Sequence, residues 1–84
     1  MEPKYTFELG VNLETVQFGE RFIIINSRAM AAEYAEVGDL FSVKMQDSDG
    51  IEIELFGFVT SPPDKKTDEN GGDSYWFAGT RVNS

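Results

Sequence analysis

The stretch Val37–Thr60, VGDLFSVKMQDSDGIEIELFGFVT, decides the fold. Phe41, Val43 and Met45 alternate with Ser42, Lys44 and Gln46, the period of two expected of a strand with one buried face. Asp47-Ser48-Asp49-Gly50 then supplies turn chemistry, with Gly50 free to take a positive φ. Ile51, Ile53 and Leu55 alternate with Glu52 and Glu54 beyond it. The pattern predicts a β-hairpin with Ile51, Ile53, Leu55 and Val59 on its inner face.

Working outward, Lys4–Leu9 alternates Tyr5, Phe7 and Leu9 against Thr6 and Glu8, a half-buried strand ended by Gly10. Leu13–Phe18 reads as a weaker strand. Gly19-Glu20 suits a type II′ turn with Gly19 first. Arg21–Asn26, RFIIIN, is continuously apolar and predicts a strand covered on both faces. Asn26 or Ser27 is a helix start signal for RAMAAEYAE, in which Met30 and Tyr34 share a face flanked by Ala31 and Ala35. Gly38 reads as the residue ending that helix. Downstream, Ser61–Ser74 holds two prolines, two glycines and no apolar side chain, and reads as a mobile loop. Tyr75–Val82 closes the chain as a strand, with Gly79 marking a bulge or a close backbone approach.

The 84 residues thus read as a single small β-rich domain, 1–84, with 61–74 as its mobile loop. The expected class is mainly β (α+β): a small curled sheet or barrel of five to six antiparallel strands, with one short helix between the third and fourth. An oligonucleotide-binding-like barrel, an SH3-like barrel and an α+β roll all accommodate that order.

Composition narrows the function. The chain has no cysteine and no histidine, so thiolate sites and the commonest general base are missing. No P-loop, nucleotide-binding glycine fingerprint or metal-ligand spacing occurs, and the expectation is a non-enzyme without metal or cofactor. Asp47, Asp49 and Glu52 echo a calcium loop, but the required third acid, the Glu at position 12 and the flanking helices are missing. A net charge of −8 disfavours nucleic acid and anionic membranes and favours basic partners. The N-terminus lacks a basic segment followed by an apolar one, so no signal peptide is expected and a cytoplasmic location is.

Two features stand out as candidate partner-binding residues. Asp47, Asp49, Glu52 and Glu54 form an acidic row along the hairpin. Phe56 and Phe58 share the parity of Glu52 and Glu54, so the expectation is a bulge near Gly57 that flips the strand or burial of the rings under the helix, the alternative being that they lie open; Trp76 poses the same question against Tyr75 and Phe77. The leading expectation is an acidic protein-interaction module, an inhibitor or antitoxin-like protein docking on a basic surface of a nucleic-acid-acting protein. The alternatives are a β-barrel binding a ligand, peptide or single strand through Phe56, Phe58 and Trp76, and a structural assembly subunit.

Overall fold

The computed structural model describes residues 2–82; residue 1 and residues 83–84 of the expected domain lie outside them. The elements in order are β1 (Tyr5–Glu8), β2 (Leu13–Phe18), β3 (Phe22–Ser27), α1 (Met30–Glu33), β4 (Leu40–Gln46), β5 (Glu52–Val59), β6 (Asp64–Thr67) and β7 (Asp73–Val82). All seven strands belong to one sheet, ordered β1-β4-β5-β7-β3-β2 with β6 also on β7.

This corrects the expected five to six antiparallel strands. β1 runs parallel to β4, and the sheet is an open curl, the chain after β1 meeting the start of β2 at an isolated bridge between Leu9 and Leu13. The stretch 61–74 is not free of regular structure either. β5 pairs with β7 from Phe56 to Val59, and β6 takes up the pairing from Asp64 to Thr67. Between them the Thr60 and Ser61 N–H groups both donate to the Ala78 carbonyl, carrying the chain through the Ser-Pro-Pro kink. All four residues of β6 are exposed, so no apolar alternation betrays it in the sequence.

The inner face of the curl carries the core: Phe7, Leu13, Ile23, Ile25, Phe41, Val43, Val59 and Phe77, with Ala32 and Ala35 packed against it. Three rings meet at its centre. Phe41 meets Phe77 edge-on with centroids 5.4 Å apart, and Phe7 lies 6.4 Å from Phe41 and 5.8 Å from Phe77, separations at which aromatic pairs attract beyond their area burial. The Phe41 ring lies over Gly57 and Gly79, where an added Cβ would sit 2.8 and 2.5 Å from it. Of the two expectations for Gly79, a bulge or a close approach, the structure shows the close approach, the pairing running unshifted through it. Gly57 likewise marks a close approach and is not a bulge, since the β4–β5 pairing runs unbroken from Gln46↔Glu52 to Leu40↔Phe58.

Local expectations around the helix need three corrections. The helix is a single turn whose buried residue is Ala32, with Ala35 buried just beyond it, while Met30 and Tyr34 are 71% and 63% exposed. Alanines permit the close approach; the larger pair points to solvent. Its N-cap is Ala29, with Ser27 one turn-step upstream accepting the Ala29 N–H at 3.0 Å. Gly38, at φ +98°, belongs to the tight turn Glu36–Asp39 that follows, closed by the Asp39 N–H on the Glu36 carbonyl. Gly19 also differs from expectation. Its N–H pairs with the Phe22 carbonyl, so the central turn residues are Glu20 and Arg21, and the Phe22 ring lies in the space that a Cβ at position 19 would take.

Candidate functional site

Strand β5 sorts its residues by parity. Gly57 and Val59 are buried on the inner face, with Ile53 and Leu55 half-buried along it; Ile51, just before the strand, is 60% exposed and does not join them. Glu52, Glu54, Phe56 and Phe58 point outward in one line, successive members about 6.7 Å apart. Among the described residues no helix covers this outer face, since Ala32 and Ala35 pack against the inner one. Phe58 is 38% exposed and Phe56 half-buried.

The register places other strands' residues beside them. Phe58 lies level with Leu40 on β4, Thr80 on β7 and, one strand further, Phe22 on β3; Phe56 lies level with Ser42 and Val82. Residues directly opposite share a face, so Leu40, Phe58, Thr80 and Phe22 form one row across four strands. Phe22 is 48% exposed, which overturns the expectation that RFIIIN is covered on both faces. Ile23 and Ile25 fill the core, while Phe22 and Ile24 face outward over the sheet. Phe22 was not among the sequence candidates; its parity with Ile24 and Asn26, opposite to Ile23 and Ile25, is the signal for it.

The carboxylates divide into two groups. Glu54 sits opposite Lys44, which has Glu8 on its other side, so one lysine is flanked by two acids; Glu52 sits opposite Gln46. An open depression of about 550 Å³ at this end is lined by Glu8, Leu9, Lys44, Met45, Gln46 and Glu52. Asp47 is engaged in its own turn: its Oδ1 accepts the Asp49 and Ile51 N–H groups at 2.9 and 3.0 Å. Asp49 is exposed at the tip. Among the described residues no group of three acids, histidines or cysteines is placed to hold a metal ion.

Trp76 is outward but elsewhere. It lies level with Asn26 and Asp64, and Lys66 Nζ sits 5.0 Å above its ring, a cation–π contact. Four residue steps along β7 separate it from Thr80, about 13 Å at the strand rise. The structure therefore groups Glu52, Glu54, Phe56 and Phe58 with Phe22, and leaves Trp76 at the far end of the same face.

Near Trp76 a polar cluster ties three segments together. Arg28 ion-pairs with Glu14 on β2 and, at 2.9 Å, with Asp68 in the β6–β7 turn. Asn26 donates from Nδ2 to Glu14 at 3.1 Å. At the opposite side, Lys4 pairs with Asp39 at 3.5 Å and the Tyr5 hydroxyl donates to the Tyr34 carbonyl. The Glu36 N–H holds the Asp39 carboxyl below its usual range, aided by Tyr5 and Lys4, whereas burial pushes the Tyr5 hydroxyl up. These contacts fasten β1 to the 36–39 turn and are structural in character.

No helix of the described residues is long and apolar enough to cross a membrane. No family model matches the chain, and neither the curated proteins nor the solved structures contain a match to it.

Proposed function

We propose that this protein is a small binding module that acts by docking its outer sheet face on a protein with a basic surface, and that it performs no catalysis. The observation that supports this reading is the single line Glu52, Glu54, Phe56 and Phe58 on β5, an acidic segment running directly into aromatic rings that extend to Phe22 across the sheet. Carboxylates at one end of such a face steer a cationic partner, and partly exposed rings at the other provide area to desolvate. The excess of fifteen acids over seven bases works in the same direction. A nucleic-acid-acting enzyme, whose own surface must be basic to hold phosphates, is the class of partner this suits, and an inhibitory role follows if the acidic segment occupies that surface. The cytoplasm is the compartment we assign to such an encounter.

The test is affinity capture at low and high salt followed by surface-based kinetics. Glu52→Gln with Glu54→Gln should slow association more than it speeds dissociation, because exposed charges act mainly on the encounter. Phe58→Ala should instead raise the off-rate and cost about 2 kcal/mol if the ring is an anchor. Binding indifferent both to salt and to the two glutamates sinks the acidic-face reading.

A further inference from the structure

Among the described residues four stretches of the open sheet have an unpaired edge, on β1, β2, β6 and the Glu52–Leu55 end of β5, and they differ; the last carries Glu52 and Glu54, charges that discourage pairing. β6 is short and carries Lys65 and Lys66, charges that discourage pairing. β1 has four residues, and its Glu8 N–H is already taken by Asn12 Oδ1 at 3.3 Å. β2 has neither device over Thr15–Phe18: it carries no lysine and no proline, and its one irregularity is the register shift between Leu13 and Thr15.

The direction of its backbone groups follows from the ladder. The Gly19 N–H donates to the Phe22 carbonyl, so Gly19 and Phe22 are a hydrogen-bonded pair. Hydrogen-bonded and non-hydrogen-bonded pairs alternate in an antiparallel ladder. With the register Phe18↔Ile23, Gln17↔Ile24, Val16↔Ile25 and Thr15↔Asn26, it follows that Gln17 and Thr15 bond to β3, whereas Val16 and Phe18 direct their N–H and C=O groups away from it. The β3–β7 side agrees: the Arg81 N–H donates to the Arg21 carbonyl, which turns Ile23 and Ile25 toward β7. Among the described residues no hydrogen bond uses the Val16 or Phe18 backbone on the free side. The Phe18 ring is 40% exposed at the same edge.

We propose that the β2 edge from Thr15 to Phe18 receives an extended basic segment of the partner as an added strand. Backbone donors and acceptors at Val16 and Phe18 recognise main chain, and Phe18 offers an apolar neighbour for alternate side chains. The sign of the segment follows from the charge of the whole chain, since Glu14 beside the edge is already paired with Arg28 and Arg81 lies over the Phe18 ring: at −8 a second copy of this chain is repelled where a cationic segment is drawn in. This rests on the basic-partner reading above but uses a different surface.

The probe is a capped synthetic peptide of alternating lysine and valine, titrated into the isotope-labelled protein. The expected result is slowed exchange and shifted signals at the Val16 and Phe18 amides, with the amides of β3 unchanged. Methylating alternate peptide nitrogens, which removes the pairing donors without altering the protein, should weaken binding about tenfold or more. Val16→Pro should do the same, since its N–H is not part of the β2–β3 ladder and proline is tolerated on an edge. If that variant does not fold, the methylated peptide decides. No change at Val16 and Phe18, or equal binding of the methylated peptide, overturns the inference. Signals perturbed only along Glu52–Phe58 overturn it while leaving the outer-face reading intact. An engaged edge together with a captured partner indifferent to Glu52 and Glu54 does the reverse. Protection of Val16 that appears without peptide and grows with protein concentration makes the occupant a second copy and also overturns it.

Discussion

Two turns in this protein are built alike and used differently. In the β4–β5 turn the Asp47 N–H donates to the Ile51 carbonyl, Gly50 donates to the Asp47 carbonyl, and Asp47 Oδ1 collects the Asp49 and Ile51 N–H groups. In the β6–β7 turn Asp68, Gly71, Asn70 and Gly72 repeat every one of those bonds, and Gly50 and Gly71 have φ of +79° and +80°. The shared code is Asp-x-Asp/Asn-Gly: a carboxylate that caps the turn and a glycine that takes the left-handed step closing it. The difference lies in what the turns touch. Asp68 also ion-pairs with Arg28, which pairs in turn with Glu14 on β2, whereas among the described residues Asp47 bonds only within its own turn. Identical local chemistry thus makes a free tip in one hairpin and an anchored one in the other.

The largest expected effect tests the shared part. A Cβ added at either glycine would meet no atom within 4 Å, so the cost of a side chain there is conformational alone. Gly50→Val and Gly71→Val should each destabilise by about 1–3 kcal/mol, and by similar amounts. An unchanged denaturant midpoint for either variant breaks the equivalence of the turns.

A smaller effect probes what separates them. Asp47→Ala and Asp68→Ala each remove a carboxylate oxygen that accepts two backbone N–H groups, worth about 1 kcal/mol in all. Asp68→Ala also removes an exposed ion pair, adding up to about 0.5–1 kcal/mol that shrinks with added salt. A double-mutant cycle with Arg28→Gln isolates that part; a zero coupling energy at low salt shows the Arg28 contact contributes nothing to the anchored turn.

The smallest effect is on pH dependence. The Thr67 hydroxyl, 2.7 Å away, and then Lys65 hold the Asp73 carboxyl beside the anchored turn below its ordinary value. A carboxyl lowered in the folded state contributes stability that is present above the unfolded value near 3.8 and is lost as pH falls through the folded one. Acid should therefore loosen the β6–β7 hairpin below about pH 4, as read by amide exchange. Thr67→Val should flatten that dependence, and an identical acid profile in the variant removes Thr67 as the cause.

Much of this was legible in the residues. The Asp47–Gly50 turn, the alternation of β4 and β5 and the shared parity of Phe56 and Phe58 with Glu52 and Glu54 all follow from spacing. The second turn carried the same signature at Asp68–Gly71, yet it sat in a polar stretch whose strand β6 buries nothing, and periodicity has no purchase where neither face is apolar. Bulge or open face at Gly57 was undecidable locally, because the answer was the Phe41 ring, sixteen positions earlier, lying across it.

What the sequence by itself determined are features whose cause lies within a few residues: capped turns, strand alternation, the absence of thiol and imidazole chemistry, and the sign of the charge. What only the tertiary structure decided are features whose cause is a neighbour distant in the chain. The parallel partner of β1, the open outer face of β3, the tie from Arg28 to Asp68 and the free backbone edge of β2 each depend on which strand lies alongside. Strand pairing is made through main-chain groups common to all residues, so the side chains of one strand do not specify which other strand will sit beside it.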